Sequence, residues 1–172
     1  MHIQTHVLSG WCVANLFDLA PRERALAMVA ATAADLDGLG LFVSLEAYGE
    51  YHHVLAHNFL FGGLLSALLA ALSPHRAKSF LLYFALFHLH LVMDLFGSGR
   101  GWGICYLWPF RDIEFRTRLA WSFVSWQNFL AVSVFLSWTI AIVLRKGRTP
   151  LEAVWPWLDK QIVCRYYRRP AP

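Results

Sequence analysis

Three long apolar segments constrain this chain more than any other feature of its sequence. They cover residues 54–72, 79–96 and 121–144, and each approaches the roughly 20 mostly apolar residues that cross a bilayer as a helix. Hydrophobic residues make up 58% of the chain and charged residues 15%, whereas a typical soluble domain has about 25% charged residues. The sequence therefore predicts an all-α integral membrane protein, a helical bundle with three long spans.

Two shorter apolar helices are predicted before these spans. They cover about residues 5–19 and 22–35, and Pro21 lies between them at a position suited to the first turn of a helix. Neither is long enough to cross a bilayer comfortably, so their depth in the membrane is left open. We expect a membrane-embedded bundle over residues 1–149 and a basic cytoplasmic or interfacial tail over residues 150–172.

Basic residues gather beside the apolar segments. They cluster at residues 74–78 and 145–148 and in the tail, which includes Arg168 and Arg169. Such clusters mark the cytoplasmic ends of membrane spans. The net charge of +4 is therefore interpreted as a topology signal and not as a signature of nucleic-acid binding. The arginines in the loop of residues 97–120 oppose this orientation.

Histidines and aspartates occupy the helix ends that antiparallel packing brings to one membrane face. They lie at the start of the first helix, at the end of the second, at the start of the first long span and near the end of the second span. Ionisable residues are costly in membrane segments and therefore indicate function. The candidate metal-ligating residues are His6, Asp35, Asp37, His52, His53, His57, His90 and Asp94.

The spacing within this set favours metal ligation. His53 and His57 are four residues apart, as are His90 and Asp94, and this spacing places two side chains on one face of a helix. Imidazole and carboxylate groups together suit a divalent metal, with zinc as the first choice and manganese or iron as alternatives. His52 competes with His53 for the same role, because it would be better placed if the helix began later.

The order of these motifs resembles that of the YdjM-like membrane-bound metal-dependent hydrolases. The resemblance covers roughly residues 1–115 and includes an H-x-x-x-D segment and a W-P-F run. The matching residues are His6, Asp35, Leu36, Asp37, His52, His57, His90, Asp94, Gly101, Trp108, Pro109 and Phe110. The chain departs from the family pattern at Ala34, which replaces a proline, and at Gly38, which replaces the histidine after the second aspartate.

The resemblance implies hydrolase activity and a set of metal ligands. The implied ligands are His6, Asp35, Asp37, His52, His57, His90 and Asp94. This set favours His52 over His53, against the argument from helical spacing. It is large enough for two metal ions, or for one ion with further residues that orient its ligands. Glycine at position 38 implies one metal ion fewer or an altered reaction.

The leading hypothesis is a metal-dependent hydrolase at the outer membrane–water interface of a bacterial cytoplasmic (inner) membrane. A metal would activate water, and Asp35 or Asp37 would act as the general base. The expected partners are the lipid bilayer and a lipid or phosphoester substrate, without nucleic acid, and the oligomeric state is left open.

Two alternatives from other classes accompany this hypothesis. A metal-binding or transport protein would use the same residues without hydrolysis, but the middles of the long spans are nearly all apolar, which disfavours an ion path. A membrane scaffold would keep the fold without the metal, and the altered motifs allow this alternative.

Overall fold

The computed structural model describes residues 1–166, and this part of the chain is built of helices. The α-helices are α1 (Ile3–Ala14), α2 (Pro21–Ala30), α3 (Leu45–Tyr51), α4 (Phe59–Ala71), α5 (Arg76–Gly97), α6 (Trp126–Lys146) and α7 (Pro156–Tyr166). Two 3₁₀ helices join them, Ala33–Phe42 after α2 and Pro150–Ala153 after α6. Residues 1–166 contain no strand, and one isolated antiparallel bridge pairs Ile104 with Phe115. The prediction of an all-α fold is confirmed.

Two helices, α5 and α6, are long and apolar enough to cross a membrane. The pair formed by α2 and the 3₁₀ helix Ala33–Phe42 also passes this test, but it bends by 56°, as in a broken span or a re-entrant loop. The first of the three predicted long spans, residues 54–72, does not form a long helix. Its helix, α4, has only 13 residues, which rise about 20 Å against the roughly 30 Å of a bilayer core.

An asparagine cap shortens α4 at its N-terminus. The Asn58 side chain accepts a hydrogen bond from the Phe61 N–H at 2.9 Å, as N-cap residues do. Its amide also donates to the carbonyls of Val54 and Leu55, which holds the preceding residues in a turn. Residues 52–58 therefore form an irregular linker within an apolar stretch of sequence, and the histidines of this linker precede the helix.

The helices alternate in direction between the two ends of the bundle. At one end, the start of α1 meets the end of α5 through a contact between His6 and Asp94. At the other end, the start of α2 meets the chain after α6 through Arg24 and Glu152. The pairs α1 with α2, α4 with α5, α1 with α6 and α2 with α5 make the contacts between these ends. This alternation places the predicted site residues at one end.

Glycines permit the close helix crossings that hold the bundle together. A Cβ on Gly10 would lie 2.8 Å from the Ala27 carbonyl oxygen of α2. A Cβ on Gly62 would lie 2.5 Å from the Phe87 ring of α5, whereas Gly63 has open space around it. Small residues at helix interfaces are the usual route to tight packing in membranes. Gly62 therefore permits the close contact between α4 and α5, and Gly63 does not take part in it.

A buried ion pair closes the end of the bundle opposite the predicted site. The Arg24 guanidinium donates to both carboxylate oxygens of Glu152, at 2.5 and 2.6 Å, and Trp11 Nε1 donates to the same carboxylate at 3.2 Å. Both charged side chains are almost fully buried. This contact fixes the 3₁₀ helix after α6 against α2. Arg168 and Arg169 of the predicted basic tail lie outside the described residues.

Loss of this pair will destabilise the protein. Glu152→Ala leaves the Arg24 guanidinium buried without its counter-charge, which costs about 3 kcal/mol or more of the free energy of unfolding. Thermal unfolding in detergent, followed by circular dichroism, measures the loss. Arg116→Ala is the matched control, since its pair with Glu114 is largely exposed to solvent and contributes little. Equal effects of the two substitutions would contradict this assignment.

Candidate metal centre

The structure brings all eight candidate residues into one cluster at a single end of the bundle. Helix α1 supplies His6, and α5 supplies His90 and Asp94. The 3₁₀ helix after α2 supplies both aspartates of the D-L-D segment, and the irregular linker before α4 supplies three histidines. Within the cluster, each residue lies within 4 Å of at least one other.

Four side chains form the centre of this cluster. Asp35, His57, His90 and Asp94 each offer one ligand atom, and these four atoms lie within 4.8 Å of one another. The Asp94 Oδ2 atom lies 2.9 Å from His90 Nε2 and 3.3 Å from His57 Nε2. The Asp35 Oδ1 atom lies 3.7 Å from His90 Nε2. Two imidazoles and two carboxylates are a donor set that suits zinc, manganese or iron.

Backbone and carboxylate acceptors orient the histidine rings. His90 Nδ1–H donates to the Ala31 carbonyl at 2.8 Å, and His57 Nδ1–H donates to Asp37 Oδ2 at 2.9 Å. These bonds leave the Nε2 lone pairs of both rings directed into the cluster, where the two Nε2 atoms lie 3.2 Å apart. Two lone pairs at this distance repel unless a proton or a metal cation lies between them. The residues present therefore fit a bound cation.

Asp37 holds two histidines and does not face the centre. Its Oδ1 accepts from His52 Nδ1 at 2.7 Å, and its Oδ2 accepts from His57 Nδ1 and from the Ala56 N–H at 3.1 Å. Asp37, His52 and His57 also lie close enough together to form a second group that could hold a metal. However, His57 Nδ1 cannot both donate to Asp37 and bind a metal, so the observed hydrogen bond corresponds to one ion at the centre.

His6 contacts the second oxygen of the central aspartate. Its Nε2 atom lies 3.1 Å from Asp94 Oδ1, and its ring stacks on His90 with a centroid distance of 3.8 Å. The Met1 amino group contacts the same oxygen. Both Asp94 oxygens are therefore engaged, and the side chain is held in a single orientation.

His52 and His53 both reach the cluster, but not by helical spacing. The chain between α3 and α4 is irregular, and His53 has a φ of 69°, which non-glycine residues rarely adopt. The helix begins after both His53 and His57, so the argument from their helical spacing does not apply, whereas His90 and Asp94 do share one face of α5. His53 Nε2 lies 3.9 Å from Asp94 Oδ2, and His52 is bonded to Asp37.

The pKa values of His53 and His57 are shifted in opposite directions. Burial lowers the pKa of the His53 imidazole to about 3, so this ring is neutral at physiological pH. Burial also lowers the pKa of His57, but hydrogen bonds to Asp37 and Asp94 outweigh it and raise this pKa to about 9. In the absence of a metal, a proton therefore bridges His57 to its acidic neighbours, and a metal ion would replace this proton.

A cleft of about 700 Å³ opens beside the centre, and Asp35, Asp94, His52 and His53 reach its wall. Sequence reasoning did not identify several groups around it. The carbonyls of Ala31 and Gly103 orient His90 and His53, and backbone acceptors leave no residue-specific signal. The sequence indicates Trp102 as an interfacial aromatic residue, and its ring lies 5.5 Å from His52 and 5.6 Å from His53.

The fold and the cluster define a class, an all-helical membrane protein with a candidate metal centre at one end of its bundle. A family model described as YdjM inner membrane protein matches residues 1–169. The chain belongs to this family, as the resemblance of its motifs implied, and is an integral inner-membrane protein. No curated protein and no solved structure matches the chain.

Metal content tests the centre. We expect the detergent-purified protein to hold a stoichiometric divalent metal after reconstitution with zinc. His57→Ala and Asp94→Ala will remove it, because each deletes one of the converging ligand atoms. His75→Ala is the control, since His75 is exposed and lies outside the cluster. Elemental analysis measures the metal, and circular dichroism verifies the fold of each variant. A wild-type protein that takes up neither zinc nor manganese would contradict the site.

Proposed function

We propose that this protein is a metal-dependent hydrolase that acts at the membrane–water interface on a lipid or phosphoester substrate. One observation carries the proposal: the Nε2 atoms of His57 and His90 converge with Asp94 beside an open cleft that Asp35 also lines. Three protein ligands and an open side are the usual composition of a catalytic metal site.

His57, His90 and Asp94 would hold the metal, with zinc as the first choice and manganese or iron as alternatives. All three side chains are almost completely buried, and all three are oriented by further contacts. A divalent ion bound there supplies Lewis acidity, which lowers the pKa of water and polarises an ester or phosphoester oxygen.

Asp35 has the position of a general base. Its side chain is 19% exposed, which makes it the most accessible of the four central residues. Its Oδ2 atom has no hydrogen-bond partner in the described chain, and the residue lines the cleft. The free Oδ2 atom is itself buried, whereas the partly exposed side chain lines the cleft, so a water in the cleft can approach this carboxylate and transfer a proton to it.

Asp37, His52 and His6 would act by positioning the ligands. Asp37 fixes the His57 ring through its Nδ1–H, in the arrangement of carboxylate, histidine and metal that many metal sites share. His52 occupies the other oxygen of Asp37, and His6 occupies the second oxygen of Asp94. Seven of the eight predicted residues then serve one ion, and His53 lies beside them with its Nε2 atom 3.9 Å from Asp94 Oδ2.

Exposed apolar residues beside the cleft support a membrane-derived substrate. Leu39, Leu41, Phe42, Val43 and Leu45 are all more than half exposed and follow the D-L-D segment directly. Leu41 also lines the cleft. Exposed apolar groups of this kind are stable in lipid and not in water. We propose that this segment lies in the outer leaflet, with the centre facing outward and residues 150–172 on the cytoplasmic side.

A non-catalytic metal-binding protein is the second candidate. The almost complete burial of His57, His90 and Asp94 favours it, because a storage site has no need of access. The accessible carboxylate of Asp35 distinguishes the two candidates, since a binding protein has no use for a free base.

Asp35→Asn and Asp37→Asn will separate catalysis from positioning. Asp35→Asn should keep the metal and lower kcat by about 100-fold or more, because it removes the base. Asp37→Asn should weaken metal affinity by about 10- to 100-fold, because it disturbs the orientation of His57. Turnover is measured with ester, phosphomonoester and phosphodiester substrates, beside the metal content.

Asp18→Asn is the control for both variants, since Asp18 is an exposed aspartate at the opposite end of the bundle. Full turnover by Asp35→Asn would remove this residue from the mechanism. A wild-type protein that holds metal but cleaves none of the three substrate classes would favour the second candidate.

A further inference from the structure

A second cavity adjoins the cleft of the candidate metal centre. It has a volume of about 870 Å³ and shares Ser98, Trp102 and Phe123 with the cleft. Its own wall includes two arginines, Arg100 from the turn after α5 and Arg118 from the chain before α6. A molecule seated in the cleft can therefore extend into a positively charged chamber.

We propose that Arg100 and Arg118 form a phosphate-binding subsite for the substrate of the neighbouring centre. The catalytic meaning of this subsite depends on the proposed hydrolase function, but its phosphate binding does not. Two guanidinium groups in one cavity can each donate paired hydrogen bonds to phosphate oxygens, a geometry that lysine cannot reproduce.

Neither arginine has an acidic partner in the described part of the chain. Arg24 pairs with Glu152, and Arg116 pairs with Glu114. No carboxylate lies within 4 Å of Arg100 or Arg118 among residues 1–166, and none lines their cavity. Their charges are therefore available to an anion.

A buried asparagine joins the two segments that carry the arginines. Asn128, which is fully buried, donates to the carbonyl of Gly97 at 2.8 Å and to that of Phe123 at 2.8 Å. Its side-chain oxygen accepts from Trp121 Nε1 at 2.8 Å. A Cβ on Gly97 would lie 2.7 Å from this oxygen, so the close approach requires glycine. These contacts therefore fix the positions of the two chain segments that line the cavity.

The chemistry of the walls defines the class of ligand. Ser98 and Gln127 add polar groups beside the arginines, whereas Phe123 and Trp121 supply apolar surface. The adjoining cleft continues this apolar surface with Leu41. A phosphate group attached to an apolar portion fits both chambers. The phosphate can belong to a lipid headgroup or to a soluble phosphoester.

Phosphate titration of the detergent-solubilised full chain tests the subsite. The probe is inorganic phosphate, with binding measured by calorimetry. Arg100→Ala and Arg118→Ala should each weaken binding about tenfold, and the double variant about a hundredfold, because each removes charge-assisted hydrogen bonds. Arg111→Ala is the matched control, since Arg111 is exposed and lines neither cavity. Zinc content should be the same in all variants.

Phosphatidylglycerol added to the micelles identifies the source of the phosphate. A lipid headgroup in the subsite will compete with inorganic phosphate and weaken its apparent affinity in the wild type but not in the double variant. A soluble phosphoester site will show no competition. The subsite is overturned if the double variant binds phosphate as the wild type does, or if the wild type binds neither probe. Absence of hydrolysis with intact phosphate binding would reject the proposed function and leave the subsite standing.

Discussion

The burial of the Asp94 carboxylate is the constraint on which the rest of this structure depends. An ionised carboxylate inside an apolar helix is stable only if hydrogen-bond donors or cations surround it. Imidazole nitrogens from α1, the linker before α4 and α5 itself contact this group. The three parts of the chain must therefore meet at one point, which determines how the helices pack at this end of the bundle.

The irregular linker before α4 follows from the same constraint. A continuous helix through residues 52–58 would turn its histidines around the helix axis, whereas the observed loop directs His57 toward Asp94 and His52 toward Asp37. The Asn58 cap ends the loop and starts the helix. The close crossing of Gly62 and Phe87 then holds α4 against α5. The shortening of the apolar span is thus a requirement of the site.

The sequence predicted the helical class, the two long spans and the gathering of polar helix ends, because hydrophobic length and residue type carry these features directly. It failed at residues 54–72, since an apolar stretch does not reveal that Asn58 interrupts it. It also could not separate ligating from positioning residues. Asp35 and Asp37 differ in which groups surround them, and those groups come from other parts of the chain: His90 of α5 lies beside Asp35, and the linker before α4 surrounds Asp37.

Arg24 at one end of the bundle differs in burial and in charge pairing from Arg100 and Arg118 at the other end. Arg24 is buried and neutralised by Glu152, and this pairing serves stability, because a buried charge without its partner would be costly. Within residues 1–166, Arg100 and Arg118 have no acidic partner, although Asp112 and Glu114 lie nearby in sequence and Glu114 pairs with Arg116. The exposed guanidinium groups of Arg100 and Arg118 need no counter-charge within the protein, because solvent can stabilise them. Burial therefore explains why Arg24 requires Glu152, whereas the charges of Arg100 and Arg118 are the ones that the proposed subsite would use.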